Sequence, residues 1–126
     1  MIKKESIFLV FVASGVFSVS LGYGFLPSLT MPFLYDIEAN NTNLLNILRA
    51  ISGLYIALVT FWILGAFNSN LELPALWSLT IFMTGLVSGR VASILIDGLP
   101  SPIFIFYLFI EIIFALIGYA LLKGKV

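Results

Sequence analysis

Four charged residues lie in long apolar stretches of this sequence, where a charge is costly: Arg49, Arg90, Asp97 and Glu111. Glu111 is the most constrained of them, because the segments that separate it from Ser101 and from Lys123 are both uncharged and short. Neither segment alone reaches the roughly 20 residues that a membrane-spanning helix needs. Glu111 is therefore predicted to lie near the middle of a spanning helix, where a carboxylate needs a cationic or polar partner.

The spacing predicts that Arg90 and Glu111 lie close enough to pair. Arg90 precedes Asp97 by seven residues, or about 10 Å of helix. Glu111 follows Ser101 by ten residues, or about 15 Å. Helical side chains lean toward the N-terminus of their own helix, so Arg90 leans deeper, Glu111 leans outward, and the two converge. Arg49 either joins this cluster or reaches the membrane surface, and Asp97 competes with Glu111 for Arg90.

Three functions fit such a cluster, and the sequence leaves them open. In the first, the charges pair and hold the helices together in a structural or accessory membrane subunit. The alternative is binding or transport of a small anionic or amphiphilic ligand, such as a lipid headgroup or a carboxylate or phosphate metabolite, because the guanidinium fork suits these groups. The weakest is a proton-coupled carrier that uses Glu111, which requires that the arginines release the carboxylate.

Further residues are predicted to support the cluster or to pack the helices around it. The supporting candidates are polar side chains near the charges: Asn46, Tyr55 and Tyr107. The packing candidates are glycines, which let helix backbones approach closely in a membrane: Gly53, Gly85 and Gly89.

The composition excludes several classes of function. Of the 126 residues, 61% are hydrophobic and 10% are charged, whereas soluble domains carry about 25% charged residues. The zero net charge argues against nucleic-acid binding. The sequence has no cysteine and no histidine, which removes thiolate and histidine chemistry and the usual zinc sites, so we expect no cofactor, no metal and no enzyme activity.

The elements that position the charges are predicted to be four transmembrane helices in an antiparallel up-down-up-down bundle. The class is an all-α membrane protein, with residues 1–126 as a single four-helix domain. The spans cover about 6–26, 44–67, 74–97 and 101–122, and an outer loop covers 27–43. Trp62 and Trp77 are predicted to lie at one membrane interface, as aromatic belts do.

Lysines near both ends of the chain predict its orientation. They are Lys3, Lys4, Lys123 and Lys125. An even number of spans places both ends on one side, and the positive-inside rule makes that side cytoplasmic. We expect membrane lipids as partners, with a homo-oligomer (dimer or higher) and a larger membrane complex as open alternatives.

An ordered set of motifs in the last three spans resembles a known family. The set comprises Asn46-x-x-Arg49-Ala50-x-x-Gly53-Leu54-Tyr55, Leu64-Gly65-Ala66-Phe67, Gly89-Arg90 and Asp97-Gly98-x-Pro100-Ser101-Pro102, followed by Glu111. Over about 44–122 the chain resembles domain of unknown function 4345. The resemblance implies a small bacterial four-helix protein of the inner membrane, with no known activity. It also implies that the four charged residues share a site.

Overall fold

The computed structural model describes residues 2–125, and their backbone is almost entirely helical. The helices are α1 (Lys4–Gly24), α2 (Pro27–Tyr35), α3 (Thr42–Phe67), α4 (Ser69–Asp97) and α5 (Pro102–Lys123). All but α2 are long and apolar enough to cross a membrane. The prediction of an all-α fold with four membrane-compatible helices is confirmed.

Helix α2 lies in the segment 27–43, which the sequence predicted to be one outer loop. Pro27 occupies the first turn of α2, where its missing N–H would have no helical partner anyway. Asp36 ends the helix in the left-handed conformation (φ 56°) and donates its backbone N–H to the last turn. The apolar face of α2 is buried, with Met31 and Tyr35 packing beside Ala39. The segment therefore folds against the bundle, because its proline starts a helix as well as ending the one before it.

The connection between α3 and α4 is shorter than the predicted turn of 68–73. Asn68 ends α3 and also caps α4, because its side-chain oxygen accepts the backbone N–H of Asn70. With this donor satisfied, α4 begins at Ser69, and Pro74 lies inside the helix instead of at its start. Trp62 is consequently not an interface residue: it is fully buried against α4 and donates its indole N–H to the Ser78 hydroxyl.

The helices pack in sequence, α1 against α3, α3 against α4, and α4 against α5. Two hydrogen bonds join opposite ends of α1 and α3. The Ser6 hydroxyl donates to the Ala66 carbonyl at 2.7 Å, and the Ser52 hydroxyl donates to the Ser20 carbonyl at 2.8 Å. The core among α1, α3 and α4 includes fully buried apolar side chains: Leu9, Val12, Trp62, Leu76 and Leu79.

The glycines that allow close helix approach are not the predicted ones. A Cβ at Gly53, Gly85 or Gly89 would meet nothing within 4 Å, so these glycines make no tight helix contact within the chain. A Cβ at Gly118 would instead overlap the Thr80 hydroxyl, and one at Gly65 would overlap the side chain of Ala75. A small-residue pattern identifies helices that can pack closely, but it does not specify which face a helix turns to its neighbour. That orientation depends on the whole bundle.

Candidate functional site

The site is built on an ion pair between α4 and α5. Arg90 Nε donates to Glu111 Oε1 at 2.6 Å, and one terminal nitrogen of the guanidinium donates to Oε2 at 3.1 Å. The two parallel bonds match the planar fork of the guanidinium to the carboxylate. The side chains are 24% and 10% exposed, respectively. Arg90 therefore pairs with Glu111, one of the two carboxylates that the sequence left open as its partner, and the pair carries no net charge.

Aromatic rings surround the cationic side of this pair. The guanidinium carbon of Arg90 lies 5.6 Å from the Tyr107 ring centroid and 6.0 Å from that of Phe104, within range of a cation–π interaction. The Tyr107 hydroxyl is hydrogen-bonded to the Tyr35 hydroxyl at 2.9 Å, and the Tyr35 ring stacks on Phe104. Burial and this hydrogen bond raise the pKa of Tyr35, so its hydroxyl stays protonated at neutral pH. Helix α2 thus closes one end of the site.

Two cavities meet at Arg90. The first, of about 440 Å³, is bounded by α1, α3, α4 and α5, and it reaches Glu111 and Tyr107 as well as Arg90. Most of its wall is apolar, and the ion pair and tyrosines supply its polar end. The second, of about 420 Å³, extends from Arg90 past Gly85, Gly89 and Ser93 toward Pro100. Arg90 and two neighbours, Tyr55 and Leu86, line both cavities. We call the two spaces the inner and outer cavity.

The structure separates the other predicted site residues from this pair. Arg49 is exposed and donates to the carbonyl of Gly24 at the end of α1, where a basic side chain satisfies a free helix carbonyl. Asp97 is exposed and accepts a hydrogen bond from the Ser93 hydroxyl on its own helix at 2.9 Å. Asn46 is exposed on α3 and lines neither cavity. Two of the four predicted charges therefore come together, and each of the others has a local partner.

Two tyrosines at the site, Tyr23 and Tyr35, were not among the predicted site residues. The Tyr23 ring lies 6.1 Å from that of Tyr35 and 6.0 Å from that of Tyr55. With Tyr107, four of the five tyrosines in the sequence surround the outer cavity and the ion pair. Tyr55 and Tyr107 were predicted as supporting residues. Tyr23 lies near the end of α1, and Tyr35 is brought in by α2, which the sequence did not predict.

A second group of charges lies at the opposite end of the bundle and was also missed. Its members come from both ends of the chain and from the start of α4, and we call them the terminal cluster: Lys3, Glu5, Glu72 and Lys125. Glu72 is buried and accepts from Lys3 Nζ at 3.3 Å and from Lys125 Nζ at 2.9 Å. Lys125 Nζ also lies 3.9 Å from Glu5 Oε1. The sequence treated these lysines only as markers of membrane side.

Neither charge group in residues 2–125 offers the three carboxylate, histidine or cysteine ligands of a metal site.

In the comparisons with known proteins, the family model described as domain of unknown function (DUF4345) matches residues 5–122. The match confirms the resemblance and extends it to the first helix and to the segment that contains α2. No curated protein matches the chain, and no solved structure does.

Proposed function

We propose that this chain, which belongs to the family of domain of unknown function 4345, binds a membrane amphiphile whose polar head has no net charge. The observation that carries the proposal is the inner cavity, whose mostly apolar wall ends at the Arg90–Glu111 pair. An apolar space with a few convergent polar groups is typical of ligand sites. The apolar body of the ligand lies in the inner cavity, and its head lies against the pair.

The charge balance of the pair narrows the class of ligand. Because Glu111 already neutralises Arg90, an anionic ligand would have to displace a carboxylate held by two hydrogen bonds. A head without net charge needs no such displacement. The guanidinium has five N–H donors, of which two bind Glu111, so three remain free to donate. The carboxylate keeps lone pairs that can accept. The pair therefore suits a head with both a donor and an acceptor, such as a zwitterion, better than the anionic metabolite that the sequence favoured as guest.

The orientation in the membrane belongs to the same proposal. The terminal cluster and the exposed Lys4 and Lys123 lie at or near the ends of the chain, and the positive-inside rule makes that side cytoplasmic. The contacts of Ser6 with Ala66 and of Ser20 with Ser52 support an up-down order for α1 and α3. The proposed location is a bacterial inner membrane, with the inner cavity deep in the bilayer.

The bidentate geometry favours a structural role as the second candidate. Two hydrogen bonds from Arg90 to Glu111 join α4 to α5 and would hold their register in an accessory membrane subunit. The same geometry disfavours the proton-coupled carrier, because Glu111 would have to leave both donors in each cycle. A structural pair needs no ligand, so ligand binding separates the two candidates.

The test is native mass spectrometry of the protein from detergent, with phosphatidylethanolamine and phosphatidylglycerol as the probes. We expect wild-type protein to retain the zwitterionic lipid in preference to the anionic one. The preference should disappear in the double variant Arg90→Met/Glu111→Leu, which removes both charges and leaves no unpaired partner. The matched control is Arg49→Met, because Arg49 lines neither cavity.

Two outcomes would overturn the proposal. One is equal retention of both lipids by wild-type protein, and the other is an unchanged preference in the double variant. Glycerophosphoethanolamine, the soluble headgroup alone, provides a further arm. If it competes as well as the whole lipid, the apolar cavity contributes nothing, and the ligand is a polar metabolite.

A further inference from the structure

A third cavity continues the inner one toward the terminal cluster. It has a volume of about 770 Å³ and runs along α1 from Lys3 and Glu72 to Phe11 and Ser14. Phe11 and Ser14 also line the inner cavity. The inner cavity in turn shares Arg90 with the outer cavity, which reaches Pro100. The three spaces therefore follow one another along the side of the bundle, and we call them together the lateral track.

The lateral track is long enough to reach both leaflets. Lys3 and Ser18, which line its first and second cavities, are 15 residues apart, or about 22 Å along α1. The outer cavity continues beyond Arg90 to Pro100, in the connection that precedes α5. The hydrocarbon core of a bilayer is about 30 Å thick. A track that starts beside the terminal cluster and ends at Pro100 thus spans most of that thickness.

Two ion pairs of the same chemistry lie on this track. Lys3 and Glu72 line its first cavity with their charged groups 3.3 Å apart, and Arg90 and Glu111 line its second. The Arg90–Glu111 pair presents one cation and one carboxylate, and the terminal cluster, in which Lys125 and Glu5 join Lys3 and Glu72, presents two of each. A zwitterionic headgroup carries the complementary set, because its phosphate accepts from the cation and its primary amine donates to the carboxylate.

Serine hydroxyls lie on α1 between the two pairs. Ser14 and Ser18 are exposed, and each donates its hydroxyl hydrogen to the carbonyl one turn earlier, at 2.9 Å. Their oxygen lone pairs therefore remain available to accept a hydrogen bond from a passing amine. Polar groups facing an open lateral cavity lower the cost of bringing a headgroup into the hydrocarbon region, where an unpartnered charge is expensive.

We propose that the lateral track carries the headgroup of phosphatidylethanolamine between the two leaflets, while the acyl chains stay in the bilayer. The inference rests on the proposed function, because the lipid-binding site at Arg90 and Glu111 lies midway along the lateral track. The protein would lower the free-energy barrier to headgroup transfer in both directions and so equilibrate the lipid between the two leaflets. An anionic headgroup is carried poorly, because each cation on the track is already balanced by a carboxylate.

The experiment reconstitutes full-length protein in liposomes with phosphatidylethanolamine that carries a fluorescent NBD dye on an acyl chain. External dithionite bleaches dye in the outer leaflet, so bleaching of the remaining dye measures its arrival from the inner leaflet. We expect wild-type protein to bleach the inner pool much faster than protein-free liposomes do. Acyl-labelled phosphatidylglycerol should be carried at least about tenfold more slowly, the factor that corresponds to one lost charge-assisted hydrogen bond.

The decisive variant is Ser14→Leu, which fills the junction of the first and second cavities with an apolar side chain. It should slow phosphatidylethanolamine transfer by about tenfold or more, and native mass spectrometry of the same variant measures how much lipid it retains. Ser88→Leu is the matched control. Ser88 is exposed on α4, donates to the carbonyl one turn earlier as Ser14 does, and lines none of the three cavities.

The transfer and binding measurements separate failure of the lateral track from failure of the lipid-binding site. Wild-type protein that retains phosphatidylethanolamine in native mass spectrometry but transfers it no faster than empty liposomes overturns the track and leaves the binding proposal standing. A Ser14→Leu variant that transfers at the wild-type rate overturns the route along α1. Equal transfer of phosphatidylglycerol overturns the zwitterionic selectivity. Loss of both binding and transfer in wild-type protein overturns both proposals.

Discussion

A double-mutant cycle on Arg90 and Glu111 tests whether the ion pair is coupled in the folded protein. Glu111→Leu leaves Arg90 as an unpaired cation, and Arg90→Met leaves Glu111 as an unpaired carboxylate. In each case a partly buried charge loses both of its hydrogen bonds. The double variant Arg90→Met/Glu111→Leu leaves neither charge.

The structure sets the expected magnitudes. An unpaired arginine or aspartate at the centre of a spanning helix costs about 2.5–3.5 kcal/mol by insertion scales. The Arg90 side chain is 24% exposed, and it can reach toward the membrane surface once released, so each single variant should lose about 2–3 kcal/mol. The double variant should lose less than about 1 kcal/mol, because apolar side chains of similar size replace a buried ion pair at little cost. The coupling energy is then at least about 3 kcal/mol, because the two single losses sum to about 4–6 kcal/mol and the double loss is below about 1 kcal/mol; this lies at or above the upper end for contacting residues.

The assay is equilibrium unfolding by SDS in mixed micelles, followed by the fluorescence of Trp62. Trp62 is fully buried and hydrogen-bonded to Ser78, so its emission reports unfolding. Trp77 is 46% exposed and is replaced by Phe in the background of all variants. Asp97→Asn is the control for losing a charge from α4, and its effect should stay within about 0.5 kcal/mol because Asp97 is exposed.

Two results would refute this reasoning. If the double variant loses the sum of the two single losses, the charges do not act as a pair in the membrane. If each single variant loses less than about 0.5 kcal/mol, the range typical of surface substitutions, the charges are solvated rather than buried. Either result would also remove the neutral-pair argument on which the proposed ligand class depends.

Two further predictions concern packing and pH. Gly118→Ala should destabilise the protein by about 1–3 kcal/mol, because its Cβ would overlap the Thr80 hydroxyl. Gly85→Ala, whose Cβ would have nothing within 4 Å, should be neutral or gain up to about 1 kcal/mol of stability from helix propensity. The same SDS titration measures both variants, and equal losses of stability would contradict the assigned packing faces. The hydrogen bond to Glu72 holds the pKa of Lys125 above its usual 10.5, so this stabilisation is present below that pH and is lost as the pH rises through the raised pKa. The stability difference between wild type and Lys125→Gln should therefore persist at neutral pH and close in strong alkali, and a pH-independent difference would show that the ion pair is not its cause.

Helix arithmetic predicted that Arg90 and Glu111 could meet, and it left Asp97 as an alternative partner of Arg90. The rise per residue placed Arg90 and Glu111 at overlapping depths, and the lean of their side chains made them converge. Depth alone did not predict which charges would meet. Arg49 instead donates to the Gly24 carbonyl at the end of α1, and Asp97 accepts from the Ser93 hydroxyl on its own helix.

The sequence could not predict which face each helix turns to its neighbours. A spanning helix is apolar nearly all round, so the hydrophobic pattern that orients a helix in a soluble protein carries little information. Gly85 and Gly89 therefore looked like packing residues and instead line the outer cavity. The terminal cluster was missed for a related reason, since Lys3 and Glu72 are brought together only by the packing of α1 beside α4.

A satisfied ion pair can hold two helices together and still receive a ligand, provided that it lies on the wall of a cavity. Arg90 meets that condition, because it lines both the inner and outer cavities and uses only part of its donor set on Glu111. A zwitterionic head can bind alongside the pair, or exchange with it one partner at a time, without leaving a buried charge uncompensated at any stage. A pair enclosed by apolar side chains could do neither, since each exchange would expose a bare charge to hydrocarbon. The structural role thus predicts no lipid preference in either protein, whereas the ligand-binding role predicts a preference in wild type that the double variant, although still folded, loses.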